Sequence, residues 1–213
     1  MVIPEQIAQA NDVLIYGLGL AASVTCAITG VLVARDKGVD LFGALMAGLA
    51  TALAGGTVRD LLLGRKVFWM ADETYLQISV IAAMVTFFIT RIRHLPENLF
   101  LIPDAIGLGI FTAGGTHLAL ELGSSPLVSV LMGVITAVVG GVFRDVLVNE
   151  VPRAFHDHQP YAVVAFAGGW FVVLLDALNV QTSITLLAGS GLIILVRMLA
   201  IRFGWELKRW RFL

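Results

Sequence analysis

The sequence is poor in charged residues and rich in apolar ones. Only 14% of its 213 residues are Asp, Glu, Lys or Arg, whereas 58% are hydrophobic. A mean hydropathy of +0.91 lies outside the range of soluble globular domains. The formal net charge of −1 provides no basic stripe that would neutralise phosphates, which excludes nucleic acid as a partner. The composition therefore predicts an integral membrane protein.

Cysteine and catalytic motifs are scarce as well. The single cysteine, Cys26, excludes an internal disulfide and a cysteine-based zinc or iron–sulfur site. The sequence has no P-loop, HExxH motif, dinucleotide-binding fingerprint or Ser/His/Asp order. His117 and Glu121 have a spacing that suits a proton or metal, but further ligands are missing nearby, and His156-Asp157-His158 is interpreted as a hydrated loop. We therefore expect no enzyme activity, no metal site and no resident cofactor.

One segment of fifteen residues occurs twice. GLATALAGGTVRDLL begins at Gly48, and GVITAVVGGVFRDVL begins at Gly133, 85 residues later, with eight identical positions. Each copy lies in an apolar stretch that is long enough to cross a bilayer. The repeat therefore places a glycine pair and an Arg-Asp pair twice within or near lipid.

The apolar stretches predict seven transmembrane helices, at 12–34, 41–63, 75–92, 98–120, 126–149, 161–179 and 183–203. The 85-residue offset aligns the first three spans with the next three. Because three spans lie in each repeat, the two repeats enter the membrane from opposite sides and are inverted. The predicted fold is an all-α polytopic membrane protein of one domain (1–213), with inverted repeats at 12–92 and 98–179, a seventh helix at 183–203 and a cytoplasmic tail at 204–213.

Cations are distributed unequally between the two sides of this topology. Arg65 and Lys66 lie on one side, and the following residues lie on the other: Arg35, Lys37, Arg91, Arg93, Arg153, Arg202, Lys208, Arg209 and Arg211. This asymmetry predicts an external N-terminus and a cytoplasmic C-terminus. The tail mixes aromatic and cationic residues, as an interfacial anchor does, with specific lipid binding as a minority alternative: Trp205, Lys208, Arg209, Trp210 and Arg211.

Both repeats place glycines in the middle of a predicted helix. Gly55-Gly56 and Gly140-Gly141 interrupt runs of good helix formers, which allows the backbone to bend and to expose carbonyl groups to a cation. The alternative is close helix packing, since small residues recur every four positions from Gly48 to Gly56 and from Gly133 to Gly141.

An Arg-Asp pair follows each glycine pair. Adjacent helical residues point about 100° apart, so we expect that Arg59 and Arg144 do not readily neutralise Asp60 and Asp145. Each pair is predicted to lie on the order of 10 Å from the midplane, on opposite sides, which disfavours a bridge between the repeats. We predict a charged constriction near each mouth of a pathway, with carboxylates that favour cations. The alternative is interfacial snorkelling and local structural pairing.

Further polar residues accompany these motifs. The hydroxyls of Thr51 and Thr136 either line the path or bond back to the preceding turn. Asp104, which has Gly19 at its equivalent position, is predicted either to attract ions or to cap the fourth helix near the surface. The candidate pathway residues are Thr51, Gly55, Gly56, Thr57, Arg59, Asp60, Thr136, Gly140, Gly141, Phe143, Arg144 and Asp145.

The sequence resembles the prokaryotic branch of the trimeric intracellular cation channel family. The resemblance lies in the seven spans, which form two inverted three-helix repeats and a seventh helix, and in the GG-x-x-RD motif of spans two and five. The resemblance covers nearly the whole chain. It implies a homotrimer in the inner (plasma) membrane of a prokaryote, with membrane lipids and monovalent cations, K⁺ or Na⁺, as partners. It also implies a potassium-permeable, hourglass-shaped pore in each protomer, with kinked helices two and five at its centre. The lysine-bearing motif of the animal channels is not evident, since Val142 and Phe143 follow the second glycine pair.

The same pattern resembles bacterial membrane proteins regarded as small-amino-acid, glycine-type transporters. A passive monovalent-cation channel is the prediction, and a transporter of the same fold is the alternative. A channel needs a continuous wet path with weak sites, whereas a transporter needs one occluded site near the midplane. In a third class, a scaffold without a permeant, the glycines would serve packing alone.

Overall fold

The computed structural model describes residues 5–93, 96–156 and 160–206, and all regular elements within them are helical. The α-helices of this described part are α1 (Glu5–Ala34), α2 (Leu41–Leu62), α3 (Phe68–Ala71), α4 (Thr74–Ile92), α5 (Leu101–Glu121), α6 (Pro126–Leu147), α7 (Arg153–His156), α8 (Ala162–Ala177) and α9 (Thr182–Phe203). Short 3₁₀ turns follow α1 at Arg35–Lys37 and precede α5 at Glu97–Phe100.

Seven of these helices correspond to the seven predicted spans. Six of them, α1, α2, α4, α5, α6 and α9, are long and apolar enough to cross a membrane, and α8 is a shorter apolar helix of 16 residues. α1 begins at Glu5, earlier than the predicted position 12, because Glu, Gln and Ala are good helix formers outside an apolar stretch. The predicted all-α membrane fold is confirmed.

Local sequence signals mark several helix ends. The Asp40 side chain caps α2 by accepting a hydrogen bond from the Gly43 backbone N–H at 2.8 Å. Pro126 occupies the first turn of α6, where its missing N–H costs nothing. Gly204 ends α9 in a left-handed conformation with φ of 61°, which glycine adopts without strain.

The ends of α2 and α6 match residue for residue. Gly64 and Asn149, which are 85 positions apart, both have a left-handed backbone, with φ of 65° and 58°. The next backbone N–H in each copy, of Arg65 and of Glu150, returns 2.8 Å to the carbonyl oxygens of Asp60 and Asp145. The repeat seen in the sequence is therefore also a repeat of backbone geometry.

Helices α2 and α6 cross at the centre of the molecule. In the first repeat α1, α2 and α4 contact one another, and in the second α5, α6 and α8 do the same. The repeats meet through α2 against α6 and α1 against α5, while α9 packs on α5 and α8. The main core cluster spans both repeats and includes Ala52 and Leu53 of α2 as well as Ala137 and Val138 of α6. This arrangement places both copies of the GG-x-x-RD motif at the interface of the repeats.

Candidate functional site

The glycine pairs allow α2 and α6 to approach at backbone distance. A Cβ built on Gly55 would lie 2.0 Å from the carbonyl oxygen of Thr136, and one on Gly140 would lie 2.3 Å from that of Thr51. Both helices are continuous across the glycines. These contacts agree with the close-packing alternative, and the bend at the glycines stays a prediction.

The two threonines at this crossing bond back to their own helices. The Thr51 hydroxyl donates to the carbonyl oxygen of Ala47 at 2.7 Å, and the Thr136 hydroxyl donates to that of Met132 at 2.6 Å. Thr57 does the same toward Leu53 at 2.7 Å. In this conformation the carbonyl groups of Thr51 and Thr136, and not their hydroxyls, face the opposite helix.

Each arginine of the repeated motif contacts the aspartate next to it. Arg59 Nε donates to Asp60 Oδ1 at 2.9 Å, and Arg144 Nε donates to Asp145 Oδ1 at 2.8 Å. The expectation that neighbours in the chain would not neutralise each other is wrong. The 100° separation applies to the Cβ directions, whereas the long arginine side chain folds back along the helix surface and brings its guanidinium to the carboxylate.

The second carboxylate oxygen holds the segment that follows the helix. Asp60 Oδ2 accepts from the backbone N–H of Phe68 at 2.8 Å, and Asp145 Oδ2 accepts from that of Arg153 at 2.9 Å. Phe68 and Arg153 begin the single-turn helices α3 and α7. This contact was not predicted from the sequence. Its donor is a backbone N–H, which every residue except proline has, so no particular residue type marks its position. Both aspartates therefore have a structural role at the helix ends.

A chamber lies on one side of the α2–α6 crossing, and we call it the wide chamber. Its volume, measured for the centres of water-sized spheres, is about 240 Å³. Its charged and titratable lining comprises Arg59, Arg65, Tyr75, His117 and Glu121. His117 Nε2 lies 3.2 Å from Glu121 Oε1, so these two side chains pair along one face of α5. The chamber lining thus includes side chains of both charge signs.

A much smaller chamber lies at the other end of the crossing, and we call it the narrow chamber. On the same measure its volume is about 20 Å³, enough for about one water molecule. Its polar lining comprises Asp104, Arg144, Asp145, Arg153, Tyr161 and Arg197. Asp104 Oδ1 lies 3.6 Å from Arg144 Nη1, and Tyr161 lines the same chamber. Asp104 is therefore a buried partner of Arg144 and not a near-surface helix cap.

Two further arginines of the narrow chamber are held by aromatic rings. The Arg153 guanidinium lies 4.2 Å from the ring centre of Phe100, and that of Arg197 lies 5.1 Å from the ring centre of Tyr161. Arg197 Nη1 also donates to the carbonyl oxygen of Pro160 at 3.2 Å. The sequence signal for Arg197 was a charge deep in the seventh apolar span, a position that marks functional or paired residues in membranes.

The remaining predicted residues are scattered. Gly56 lines the wide chamber and Gly141 lines the narrow one, whereas half-exposed Phe143 is absent from the described lining of both. Trp205 is exposed, and Lys208, Arg209, Trp210 and Arg211 lie outside the described residues. The side chains of the 156–158 loop segment are outside them too. Within the described residues, groups of three or more His, Cys, Asp and Glu that would suit a metal do not occur.

Comparison with known proteins agrees with this architecture. Residues 16–91 and 101–177 match the sequence model of the family described as Glycine transporter. The UPF0126 inner membrane protein YadS of Escherichia coli is 37% identical over 92% of this chain and 94% of its own length. A UPF0126 membrane protein of Vibrio cholerae is 36% identical over 92% of this chain and 81% of its own length.

Solved structures give the same result. A structure determined to explain conductance through TRIC cation channels superposes with a TM-score of 0.84 at 35% identity, covering 92% of this chain and 96% of that one. The TRIC trimeric intracellular cation channel orthologue from Rhodobacter sphaeroides superposes with a TM-score of 0.84 at 34% identity, covering 89% and 98%. The resemblance noted in the sequence is confirmed. The chain is thus a multi-pass membrane protein that belongs to the Glycine transporter family, together with the UPF0126 proteins, and it has the fold of the TRIC cation channels.

Proposed function

We propose that this chain is a cation channel whose path runs between the two repeats and through both chambers. The observation that carries the proposal is that the chambers occupy opposite ends of the α2–α6 crossing. Along α5, Asp104 lines the narrow chamber, and the lining of the wide chamber begins at Ile110. Six helical residues separate Asp104 from Ile110, which corresponds to about 9 Å. In the proposed path, these two chambers and a waist between them would form an hourglass within one protomer.

The waist provides the chemistry that a cation needs. At the waist the carbonyl oxygens of Thr51 and Thr136 lie against Gly140 and Gly55, so backbone contact closes the path. A small separation of α2 and α6 would free these oxygens to replace part of the hydration shell of a cation. Irregular or exposed backbone is tolerated at membrane depth where it lines a wet cavity. We infer that opening consists of this separation.

Potassium permeability, a homotrimer and bilayer orientation belong to the same proposal. The solved relatives are named as TRIC cation channels, one of them as trimeric, which supports self-association of this chain. A relative is an inner membrane protein of a bacterium, which supports the same location. The unequal cation distribution supports an external N-terminus.

Planar-bilayer recording under a potassium gradient tests the proposal. The native protein should show single-channel steps that reverse near the potassium equilibrium potential. Gly55→Leu and Gly140→Leu variants that still assemble should lose the steps, because the added side chain collides with the opposite backbone. Gly191→Leu is the matched control, since a Cβ there meets nothing within 4 Å among the described residues. A silent native protein would contradict the proposal.

A glycine-type transporter is the second candidate, and the wide chamber favours it. The cationic side chains of Arg59 and Arg65 and the carboxylate of Glu121 line the same space of about 240 Å³. Those groups match the carboxylate and ammonium ends of a small amino acid. Accumulation of labelled glycine in proteoliposomes that show no potassium current would support this candidate over the channel.

A further inference from the structure

The two matched chambers differ in one acidic residue. Asp104 of α5 has Gly19 of α1 at its equivalent position, 85 residues earlier, although the Arg-Asp pairs around them are repeated. Both residues line a chamber, Gly19 the wide one and Asp104 the narrow one. At this matched position the narrow chamber therefore has a carboxylate, and the wide chamber has a glycine.

The arginines of the two repeated motifs differ in their partners. The Arg144 side chain is 4% exposed and lies between Asp145 and Asp104, with Nε 2.8 Å from the first carboxylate and Nη1 3.6 Å from the second. The Arg59 side chain is 12% exposed and contacts Asp60. Arg144 is thus held between α5 and α6, whereas Arg59 contacts Asp60 of its own helix and lies 5.8 Å from the ring centre of Phe68.

Asp104 and Arg144 attract each other as opposite charges and do not form a hydrogen bond. Arg144 Nη1 is buried and makes no hydrogen bond within the described residues. Arg153 and Arg197 are engaged by aromatic rings, and Arg197 also by the Pro160 carbonyl. The narrow chamber therefore holds three arginines against two aspartates, and loss of Asp104 would leave Asp145 as the one carboxylate among its described lining residues that contacts Arg144.

We propose that Asp104 is a latch that holds Arg144 across the narrow chamber and keeps that end of the path closed. Gly19 provides no such carboxylate at the corresponding position of the wide chamber, where the Tyr75 side chain lies next to it. The inference rests on the proposed path, because a latch has meaning only where something passes. The resting protein is then open at the wide chamber and closed at the narrow one, and the path opens when Arg144 leaves Asp104.

Cysteine labelling in proteoliposomes tests the latch without requiring ion flux. In a Cys26→Ala background, Val138→Cys reports on the narrow chamber and Leu118→Cys on the wide one, because these residues line them. A neutral, membrane-permeant thiol reagent should label the wide reporter faster. Asp104→Asn should raise labelling of the narrow reporter about tenfold or more and leave the wide reporter unchanged. Equal acceleration at both reporters would indicate general loosening and would overturn the latch.

A second variant, which adds a carboxylate at the matched position of the wide chamber, tests the latch if Asp104→Asn does not fold. A Cβ on Gly19 would lie 2.8 Å from the Tyr75 hydroxyl and 3.2 Å from its ring, so Gly19→Asp is combined with Tyr75→Phe to make room. The added carboxylate should slow labelling of the wide reporter, whereas Tyr75→Phe alone should not. Unchanged labelling in the double variant would contradict the latch.

The failure of the latch and the failure of the channel are distinguishable in the same vesicles. Potassium flux through the native protein with unchanged labelling in both variants would overturn the latch and leave the channel. The expected labelling changes without potassium flux would retain a gated chamber and overturn the cation channel.

Discussion

The carbonyl oxygen of Thr136 occupies the space that a side chain on residue 55 would need, 2.0 Å from the position of a Cβ on Gly55. The inverted repeat gives the same relationship between Thr51 and Gly140, at 2.3 Å. The crossing of α2 and α6 therefore requires glycine at both positions. In the proposed channel, packing and permeation are coupled, because the contact that closes the waist is also the one that must loosen.

Alanine at either glycine should destabilise the protein. Gly55→Ala and Gly140→Ala force α2 and α6 apart, and overpacking of this kind costs about 1–3 kcal/mol. Gly191→Ala should be neutral or stabilising, since its Cβ meets nothing within 4 Å among the described residues and alanine favours a helix. Thermal unfolding in detergent measures all three variants. Equal stability of Gly55→Ala and Gly191→Ala would refute the close crossing.

Asparagine in place of Asp60 or Asp145 should loosen the following turn. Each carboxylate accepts from an arginine Nε and from a backbone N–H, of Phe68 or Arg153. Asparagine offers one acceptor and one donor group, so one of these donors loses its partner. We expect a loss of roughly 1.5–3 kcal/mol in unfolding free energy and faster hydrogen exchange at amide 68 or 153. Unchanged exchange would show that the aspartates do not hold α3 and α7.

Removal of the threonine hydroxyls at the waist should have little effect on permeation. Both hydroxyls bond to their own helix, so Thr51→Val and Thr136→Val keep the shape and leave the carbonyl groups in place. We expect single-channel conductance within about twofold of the native value. A severe loss in either variant would show that the hydroxyls face the permeant ion in the open state.

The contact of Lys37 with Glu150 should make stability depend on pH. Lys37 donates a hydrogen bond to Glu150 and joins the segment after α1 to the segment after α6. That hydrogen bond and the nearby ammonium charge hold the pKa of Glu150 below its ordinary value of 4.5. A lowered pKa in the folded state means that the stabilisation is complete above pH 4.5 and is lost as the pH falls through the folded value.

Glu150→Gln removes this contribution at every pH. The difference in unfolding free energy between the native protein and this variant should therefore be present near neutral pH and should disappear in acid. Added salt should also reduce it, because both side chains are partly exposed. A difference that persists in acid would show that another property of residue 150 is responsible.

The fold was largely predictable because apolar length and an internal repeat are properties of the sequence. The spans that became α2 and α6 differ from their predicted ranges by one or two residues at the C-terminal end. The Arg59–Asp60 contact was not predictable, because side-chain reach overrides the helical angle between neighbours. The narrow chamber was not predictable either, since Arg197 and Tyr161 come from α9 and the start of α8, outside the repeated motif.

The most direct test compares two permeants in one vesicle preparation. Proteoliposomes with the purified protein receive either a potassium gradient with a voltage-sensitive dye or labelled glycine, and empty vesicles are the control. A cation channel predicts rapid dissipation of the potassium gradient, its loss in Gly55→Leu, and no glycine accumulation. Glycine accumulation without potassium flux would contradict the channel and support the glycine-type transporter.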